Sequence, residues 1–313
     1  MEFCRGRRIA YAASPAYTGA QTDGDALHMS SIAPKKYRWA VAIVFGVLGF
    51  AVNFLDLQLL DHPALKVSIL GGLFFPLLIA LAWGWRYGLL SALAGGCQSM
   101  WWLWQGDGCG MLYSVPVFTL WVVWHGWWAG RRSVGHPWWQ SSFVVEAPFR
   151  TVVELGFYTV FPWLLAMNPP PWDPAITWDQ VSFSWLHTVA LKHLVTGYVL
   201  LLLCYTLLSL GPARRFFRLR PLPAQRVTTA VYCGALLLAL FLWVVDSIAG
   251  CLVFHPEMSF WEVAVLREGP HVMFMRVLYL VVSLLGAVLV ARFLRERVVL
   301  TTRLAHQNQV LAA

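Results

Sequence analysis

The chain has 313 residues, of which 59% are hydrophobic and only 12% are charged. A soluble domain carries about 25% charged residues, so this composition excludes an ordinary soluble protein and indicates that lipid covers much of the surface. The formal net charge of +8 is accounted for by Lys and Arg residues that flank apolar stretches, so it does not require nucleic acid as a partner.

The N-terminal segment, residues 1–34, is dominated by small and polar side chains. It contains Arg5, Arg7 and Arg8 but lacks the apolar core that a secretory signal peptide needs after its basic residues. We therefore predict that residues 1–34 form a disordered cytoplasmic N-terminus.

Eight apolar stretches approach the length of about 20 residues that a membrane-spanning helix needs. The predicted fold class is therefore all-α, a polytopic membrane bundle of about eight transmembrane helices. The predicted spans are 39–56, 67–84, 88–105, 111–129, 150–167, 187–210, 227–249 and 273–292. The predicted parts of the chain are spans 1–4 in 35–132, a cytoplasmic connection in 133–149, spans 5–8 in 150–292 and a cytoplasmic, coiled-coil-like signalling helix in 293–313.

Lys and Arg residues orient these spans, because positively charged loops stay in the cytoplasm. With eight spans, most of the positive charge falls on one face. The residues concerned are Lys35, Lys36, Arg38, Arg86, Arg131, Arg132, Arg214, Arg215, Arg218, Arg220, Arg226, Arg292, Arg295, Arg297 and Arg303. Only Lys66 and Arg267 are clearly placed on the opposite face. Both termini are therefore predicted to be cytoplasmic, and the expected location is the bacterial inner (cytoplasmic) membrane, crossed many times.

Polar side chains within or beside the spans are candidate ligand-binding groups, because charge at membrane depth is costly and usually has a partner or a function. The candidates of this kind are Asn53, Asp56, Glu154, His187, Lys192 and His193. Lys192 can reach outward to the headgroups or pair with Asp56 or Glu154.

Two tryptophans of the stretch MWWLW, Trp101 and Trp104, are further ligand-binding candidates. Together with the Trp residues of 168–185 they could form an aromatic pocket near the outer face that holds an aromatic or cationic ligand. The alternative is an interfacial belt, since indole rings prefer the headgroup level of a bilayer.

Two ion pairs are predicted within the spans. Arg150 and Glu154 are four residues apart and share a helix face. Asp246 and Arg276 lie toward the outer ends of consecutive antiparallel spans, and we predict that they form a structural ion pair between these helices. A ligand-sensing or proton-sensing role is the alternative for this second pair.

Metal and enzyme signatures are weak. His187 and His193 are six residues apart and do not share a helix face, so no metal site is predicted. The chain has no HExxH, GxSxG or P-loop motif, and no catalytic residue is predicted. Cofactors are left open, and the thiols near the outer face (Cys97, Cys109 and Cys251) could either form a disulfide or remain as small buried groups.

The region 242–298 resembles a two-span anchor at the N-terminus of many bacterial sensory proteins. That pattern has an Asp late in the first helix, an aromatic-Pro loop, a Pro-His turn, an Arg early in the second helix and then a basic charged helix. The matching residues are Asp246, Phe254, Pro256, Pro270, His271 and Arg276. Val272 stands where the family often has an acid, so any role of that acid is absent here. The earlier stretch 74–96, with its GWRYG turn, is similar both to membrane-associated sensor domains and to the substrate-binding subunits of vitamin importers.

The resemblance implies a multi-span sensory input region of the sensor histidine kinase or diguanylate cyclase type. The implied partners are the lipid bilayer and a cytoplasmic output domain, or else a partner kinase or cyclase. It implies no catalytic activity within these residues.

The C-terminal stretch has apolar and polar residues at the three-four spacing of a coiled coil. Its positions are Val290, Phe293, Arg297, Leu300, Leu304, Gln307 and Leu311. We predict a parallel homodimer with a seam that includes Phe293, Leu300, Leu304 and Leu311.

The leading hypothesis is a membrane-embedded sensory input module that detects a small or membrane-soluble ligand near the outer face and signals through its C-terminal helix. A small apolar or aromatic molecule is the preferred ligand, with redox state, a lipid or a quinone as alternatives. A transporter or substrate-capture protein is the second hypothesis, and an integral-membrane enzyme is the third.

Overall fold

The computed structural model describes residues 33–54, 57–62, 65–131, 138–177, 179–220, 225–254, 257–266 and 270–311. The candidate ligand residue Asp56 and residues 1–32 of the predicted disordered segment lie outside these ranges, as do Arg132 and Trp178. The backbone of Leu311 is described, but its side chain is not.

The described chain is helical, with one short hairpin. The helices are α1 (Lys35–Asn53), α2 (Phe74–Trp83), α3 (Trp85–Ser91), α4 (Ser99–Leu103), α5 (Met111–Arg131), α6 (Ser142–Leu165), α7 (Phe183–Ser209), α8 (Gly211–Phe216), α9 (Gln225–Ala249) and α10 (Pro270–Leu311). Strands β1 (Leu57–His62) and β2 (Leu65–Ile69) pair antiparallel, with Leu57 opposite Ile69. Short 3₁₀ turns cover Gly71–Leu73, Gln105–Gly110 and Trp138–Gln140, and π-helical turns cover Ala92–Gly96, Gly250–Phe254 and Glu262–Leu266.

Four helical segments of the described chain are long and apolar enough to cross a membrane. They are Gln105–Arg131, Phe183–Ser209, Gln225–Leu252 and Met275–Val298. These segments coincide with four of the predicted spans, and they support association with a membrane.

Two other predicted spans are interrupted. The stretch predicted to span at 67–84 begins in β2, and its apolar helix covers only Gly71–Trp83. The stretch predicted to span at 88–105 is divided among α3, a π-helical turn and α4. Gly95 lies at the break with a φ of 148°, a conformation that side chains other than glycine rarely adopt.

Gly95 also allows α1 to approach closely. A Cβ at this position would meet Phe50 Cβ at 2.9 Å and the Gly46 carbonyl oxygen at 3.0 Å. We expect Gly95→Ala to lower the free energy of unfolding by about 1–3 kcal/mol, since strain at such a φ is of that size. Gly234→Ala on α9 is the control, because a Cβ there meets nothing within 4 Å. Unfolding in mixed micelles checks this, and equal stability of the two variants would contradict it.

Helix α6 begins at Ser142, eight residues before the predicted start of its span at 150. The predicted connection 133–149 is therefore partly helical. Pro148 and Pro162 both lie inside the helix. Each proline removes one backbone hydrogen bond, and neither stops this helix.

The buried side chains form three clusters. The largest joins α1, α2, α5 and α7 and includes Leu77, Val122 and Leu201. A second joins α6 and α7 around Phe161. In the third, Leu202 of α7, Tyr232 of α9 and Leu284 of α10 pack together. Since α7 contributes to all three clusters, it connects the α1–α6 part of the molecule with the α9–α10 pair.

Segments rich in Lys and Arg meet at one end of the molecule, which we call the basic end. The Tyr37 hydroxyl donates to the Phe216 carbonyl oxygen at 2.9 Å, and Trp83 Nε1 donates to the Phe217 carbonyl oxygen at 3.1 Å. These bonds bring the start of α1 and the end of α2 to the segment that follows α8. Burial lowers the pKa of Arg214 in α8 to about 10, with a smaller contribution from Arg295, so this guanidinium stays charged at neutral pH.

Helix α10 runs without interruption over 42 residues. At about 1.5 Å per residue it is about 63 Å long, roughly twice the thickness of the hydrocarbon core of a bilayer. Its first part packs against α9 and α7, whereas Leu300 and Leu304 in its second part are exposed.

Candidate functional site

A fully buried carboxylate lies between α5 and α6. Glu146 has a relative exposure of 0%. It accepts hydrogen bonds from Trp121 Nε1 at 2.7 Å and from Arg150 Nε and Nη2 at 3.0 and 2.6 Å, and it contacts His125 Nε2 at 2.7 Å. These contacts satisfy both carboxylate oxygens, as a charge in a buried site requires.

Helical spacing explains how this cluster forms. Trp121 and His125 are four residues apart on α5, and Glu146 and Arg150 are four residues apart on α6. Residues at this spacing lie on one face of a helix. The two helices run in opposite directions and present these faces to each other, so both side chains of α5 reach the same carboxylate.

Helix α7 closes the cluster with a glycine. A Cβ at Gly197 would lie 2.4 Å from Arg150 Nη2 and 2.7 Å from Glu146 Oε1. Only the absence of a side chain lets α7 approach the Glu146–Arg150 pair this closely.

Further charged groups extend from this cluster toward the end of the molecule opposite the basic end. Arg150 Nη1 lies 3.7 Å from Glu154 Oε1, so the predicted pairing of these residues is a long contact and Arg150 is bonded mainly to Glu146. Lys192 of α7 interacts electrostatically with Glu154 and with Asp107 in the turn before α5. We call the resulting set the charged row: Asp107, Lys192, Glu154, Arg150, Glu146 and His125.

Two groups near the middle of the row are buried without a hydrogen bond among the residues that the structure describes. One is the Glu154 carboxylate, in which neither oxygen accepts a hydrogen bond. The other is Nε2 of His193, whose ring lies edge-on to Phe118 and Phe157 at centroid distances of 5.3 and 5.7 Å. Such groups are uncommon in folded proteins, and in native sites they call for a specific explanation.

A small cavity lies against His193 and against Arg150 and Lys192, the two cations that interact with Glu154, and it has room for about one water molecule. The polar side chains on its wall are Trp121, Arg150, Lys192, His193 and Thr196, and Leu70, Leu73, Phe118, Gly197 and Leu200 complete it. An organic ligand does not fit in this space.

Three of the predicted ligand-binding residues lie together. The structure brings Glu154, Lys192 and His193 to the middle of the charged row. Trp104 lies beside them, with its ring 5.8 Å from Lys192 Nζ and 6.0 Å from the Phe118 ring.

The other predicted ligand-binding residues are elsewhere. Asn53 accepts from Gly72 N at 2.7 Å and donates to Ser99 Oγ at 2.7 Å, so it links α1 to the segments around α2 and α4. Trp101 packs against Trp172, with ring centroids 5.6 Å apart. His187 is exposed and bonds to the Tyr158 hydroxyl at 2.8 Å.

The predicted pair of Asp246 and Arg276 is present, with Arg276 Nε 3.2 Å from Asp246 Oδ2. Arg276 is 1% exposed, and its Nη1 also donates to the carbonyl oxygens of Val263 and Ala264 at 3.1 and 2.9 Å. One guanidinium therefore joins α9, α10 and the turn between them.

Metal ligands are not grouped in the described part of the chain, where no three His, Cys, Asp or Glu side chains lie close enough to hold a metal ion. The thiols of Cys97, Cys109 and Cys251 are free. Cys109 Sγ lies 3.7 Å from the Met167 carbonyl oxygen, the distance of a weak hydrogen bond.

Sequence reasoning missed Glu146, His125 and Trp121. Glu146 was placed in the predicted connection 133–149, so its position in a helix and its spacing to Arg150 were not used. The available signal was the pair of four-residue spacings, Trp121 to His125 and Glu146 to Arg150, on neighbouring helices.

Comparison of the chain with protein-family models, with curated proteins and with solved structures found no match.

Proposed function

We propose that the chain is a membrane-embedded sensory input region that transmits a stimulus through α10 to a cytoplasmic output domain or a partner kinase or cyclase. Its location would be the bacterial inner membrane, which it would cross about eight times with both termini in the cytoplasm. The meeting of Lys-rich and Arg-rich segments at the basic end supports this orientation.

The observation that carries the proposal is the continuity of α10. The candidate membrane segment Met275–Val298 lies within it, and the helix continues to Leu311 without a cap or a turn. A continuous helix transmits a rotation or shift from its membrane part to its far end, which is the property that a signalling helix needs.

Helix α7 supplies a physical connection from the charged row to α10. Near its middle it holds Lys192 and Gly197 against the row. Near its end, Leu202 packs in the cluster with Leu284, and Arg295 Nη2 of α10 donates to the Tyr205 hydroxyl at 3.4 Å. A movement of α7 relative to α6 therefore acts directly on α10.

The seam of the proposed dimer lies on the exposed part of α10. Phe293, Leu300 and Leu304 are 55%, 55% and 58% exposed. Leu300 and Leu304 follow the candidate membrane segment Met275–Val298, and apolar side chains on a helix outside the bilayer are covered when a second copy pairs with them. Polar residues at other seam positions, such as Arg297 and Gln307, weaken the pairing and make it easier to switch.

Cysteine cross-linking tests this function. In native membranes, we expect Leu300→Cys and Leu304→Cys to give high yields of cross-linked dimer, because both positions face the seam. Ala305→Cys is the matched control, since it is exposed but lies about 100° around the helix from Leu304. The parent chain, with its own six cysteines, sets the background. Equal yields at all three positions, or none above background, would exclude the proposed output helix dimer.

A transporter is the second candidate, and the charged row favours it. Buried charges and the helix break at Gly95 are features of substrate and ion pathways in membranes. Uptake of substrate into proteoliposomes containing the full chain would support transport. The seam on α10 has no role in a transport function.

A further inference from the structure

The charged row contains more carboxylates than permanent cations. Its carboxylates are Asp107, Glu154 and Glu146, and its permanent cations are Arg150 and Lys192. His125 is the remaining member, and it can hydrogen-bond to Glu146 from a neutral ring. Leaving the histidines aside, the carboxylates outnumber the permanent cations by one.

The least compensated of the three carboxylates is Glu154. Glu146 is satisfied by Trp121, His125 and Arg150. Asp107 is only half-buried and lies near the exposed turn residues 105 and 106. Glu154 is the carboxylate whose oxygens are buried and accept no hydrogen bond from any described residue.

The neighbours of Glu154 do not provide its oxygens with a hydrogen bond. Arg150 lies 3.7 Å away and is bonded more closely to Glu146. The Tyr113 hydroxyl donates its hydrogen bond to the Val153 carbonyl oxygen. Lys192 interacts electrostatically with Asp107 as well as with Glu154. The titratable or charged groups that face Glu154 are Tyr113 on α5, Glu146 and Arg150 on α6 and Lys192 on α7.

We propose that Glu154 is a reversible proton-binding site and that the proton is the stimulus of the sensory region. Binding transfers one proton from water to one carboxylate oxygen of Glu154, and no other bond forms or breaks. The cavity lined by Arg150, Lys192 and His193 has room for about one water molecule, which is too little for an organic ligand. Arg150 and Lys192 also interact with Glu154, so the cavity lies next to the groups that surround this carboxylate. This inference rests on the proposed function, and it names the ligand of the same site.

The access route follows the row. Asp107 lies at the end of the row beside the exposed turn residues 105 and 106, and Lys192 on α7 interacts with both Asp107 and Glu154. Protonation of Glu154 removes its attraction for Lys192 and Arg150. Arg150 borders Gly197 of α7, and Lys192 lies on α7 itself. The change in attraction therefore acts on the helix that contacts α10.

Infrared difference spectroscopy tests the site directly. We reconstitute the full chain in lipid nanodiscs and compare mildly acidic with mildly alkaline buffer. The expected result is a protonated carboxylic acid band in acid that is lost in alkali and is absent from Glu154→Gln. Glu296→Gln, at an exposed ion pair with Arg292, retains the band. No band in the parent chain, or an unchanged band in Glu154→Gln, overturns the proposal.

A second variant covers the case in which Glu154→Gln does not fold. In Glu154→Asp, the band should remain but should no longer shift when the glutamates carry a ¹³C label. A band that still shifts with labelled glutamate in Glu154→Asp overturns the assignment.

Cross-linking at Leu304→Cys separates the stimulus from the output. The yield should depend on buffer pH in the parent background and lose that dependence with Glu154→Gln. A Glu154 band with pH-independent yield overturns the proton as stimulus while leaving the signalling seam intact. Absence of seam-specific cross-linking in any buffer refutes the proposed function, whatever the infrared result.

Discussion

Glu146→Ala lowers the free energy of unfolding by about 3–5 kcal/mol, because it leaves Arg150 buried with its main partner removed. The Trp121 indole N–H loses its acceptor in the same step. The expected loss is large since an uncompensated buried charge costs far more than a surface pair contributes. Unfolding of the purified chain in mixed micelles with increasing SDS measures it.

Glu296→Ala is the matched control for this prediction. Glu296 also pairs with an arginine four residues away, with 3.0 Å between Arg292 Nε and Glu296 Oε1, but these side chains are 51% and 61% exposed. The expected loss is at most about 1 kcal/mol. A similar loss in both variants would show that the Glu146 cluster does not stabilise the bundle.

Arg276→Met is the second substitution with a large expected effect, a loss of roughly 2–4 kcal/mol. It leaves Asp246 and the carbonyl oxygens of Val263 and Ala264 without the guanidinium that they share. Because these groups join α9 and α10, hydrogen exchange should rise first along this helix pair. The same unfolding assay measures the loss of stability.

Arg292→Met on the same helix is the control, since Arg292 is half-exposed. Arg276→Lys should recover little of the loss, because lysine lacks the planar fork that reaches several acceptors at once. Full recovery by lysine would mean that only the charge of Arg276 matters.

The helical character of the chain could be predicted from composition, and the four helical segments long and apolar enough to cross a membrane lie where hydropathy placed them. The interruptions could not be predicted. The sequence contains 24 glycines and does not distinguish Gly95 from the others. The positive φ of Gly95 and its close approach to Gly46 and Phe50 are visible only in the structure. Tertiary contact decides such a break, and a window of hydropathy does not contain that information.

The candidate site was predictable in part. Glu154, Lys192 and His193 were identified because polar groups are rare at membrane depth. Asp246 and Arg276 were paired by their depth in consecutive spans, and the structure places them 3.2 Å apart. Glu146 was missed because it fell in the predicted connection 133–149, before the expected start of the span at 150. Gly197 was missed because its role depends on the distance between α6 and α7, which the sequence does not give.

The coupling of the charged row to α10 is tested most directly by the distance between the two copies of residue 304. A spin-labelled amino acid introduced at this position in nanodiscs avoids the native cysteines. Glu146→Gln changes the row while keeping the shape of the side chain, and His187→Gln is the control at an exposed position of α7. We predict that Glu146→Gln changes the distance distribution and that His187→Gln does not. The same distribution in the parent chain and both variants would contradict a signalling role for the charged row.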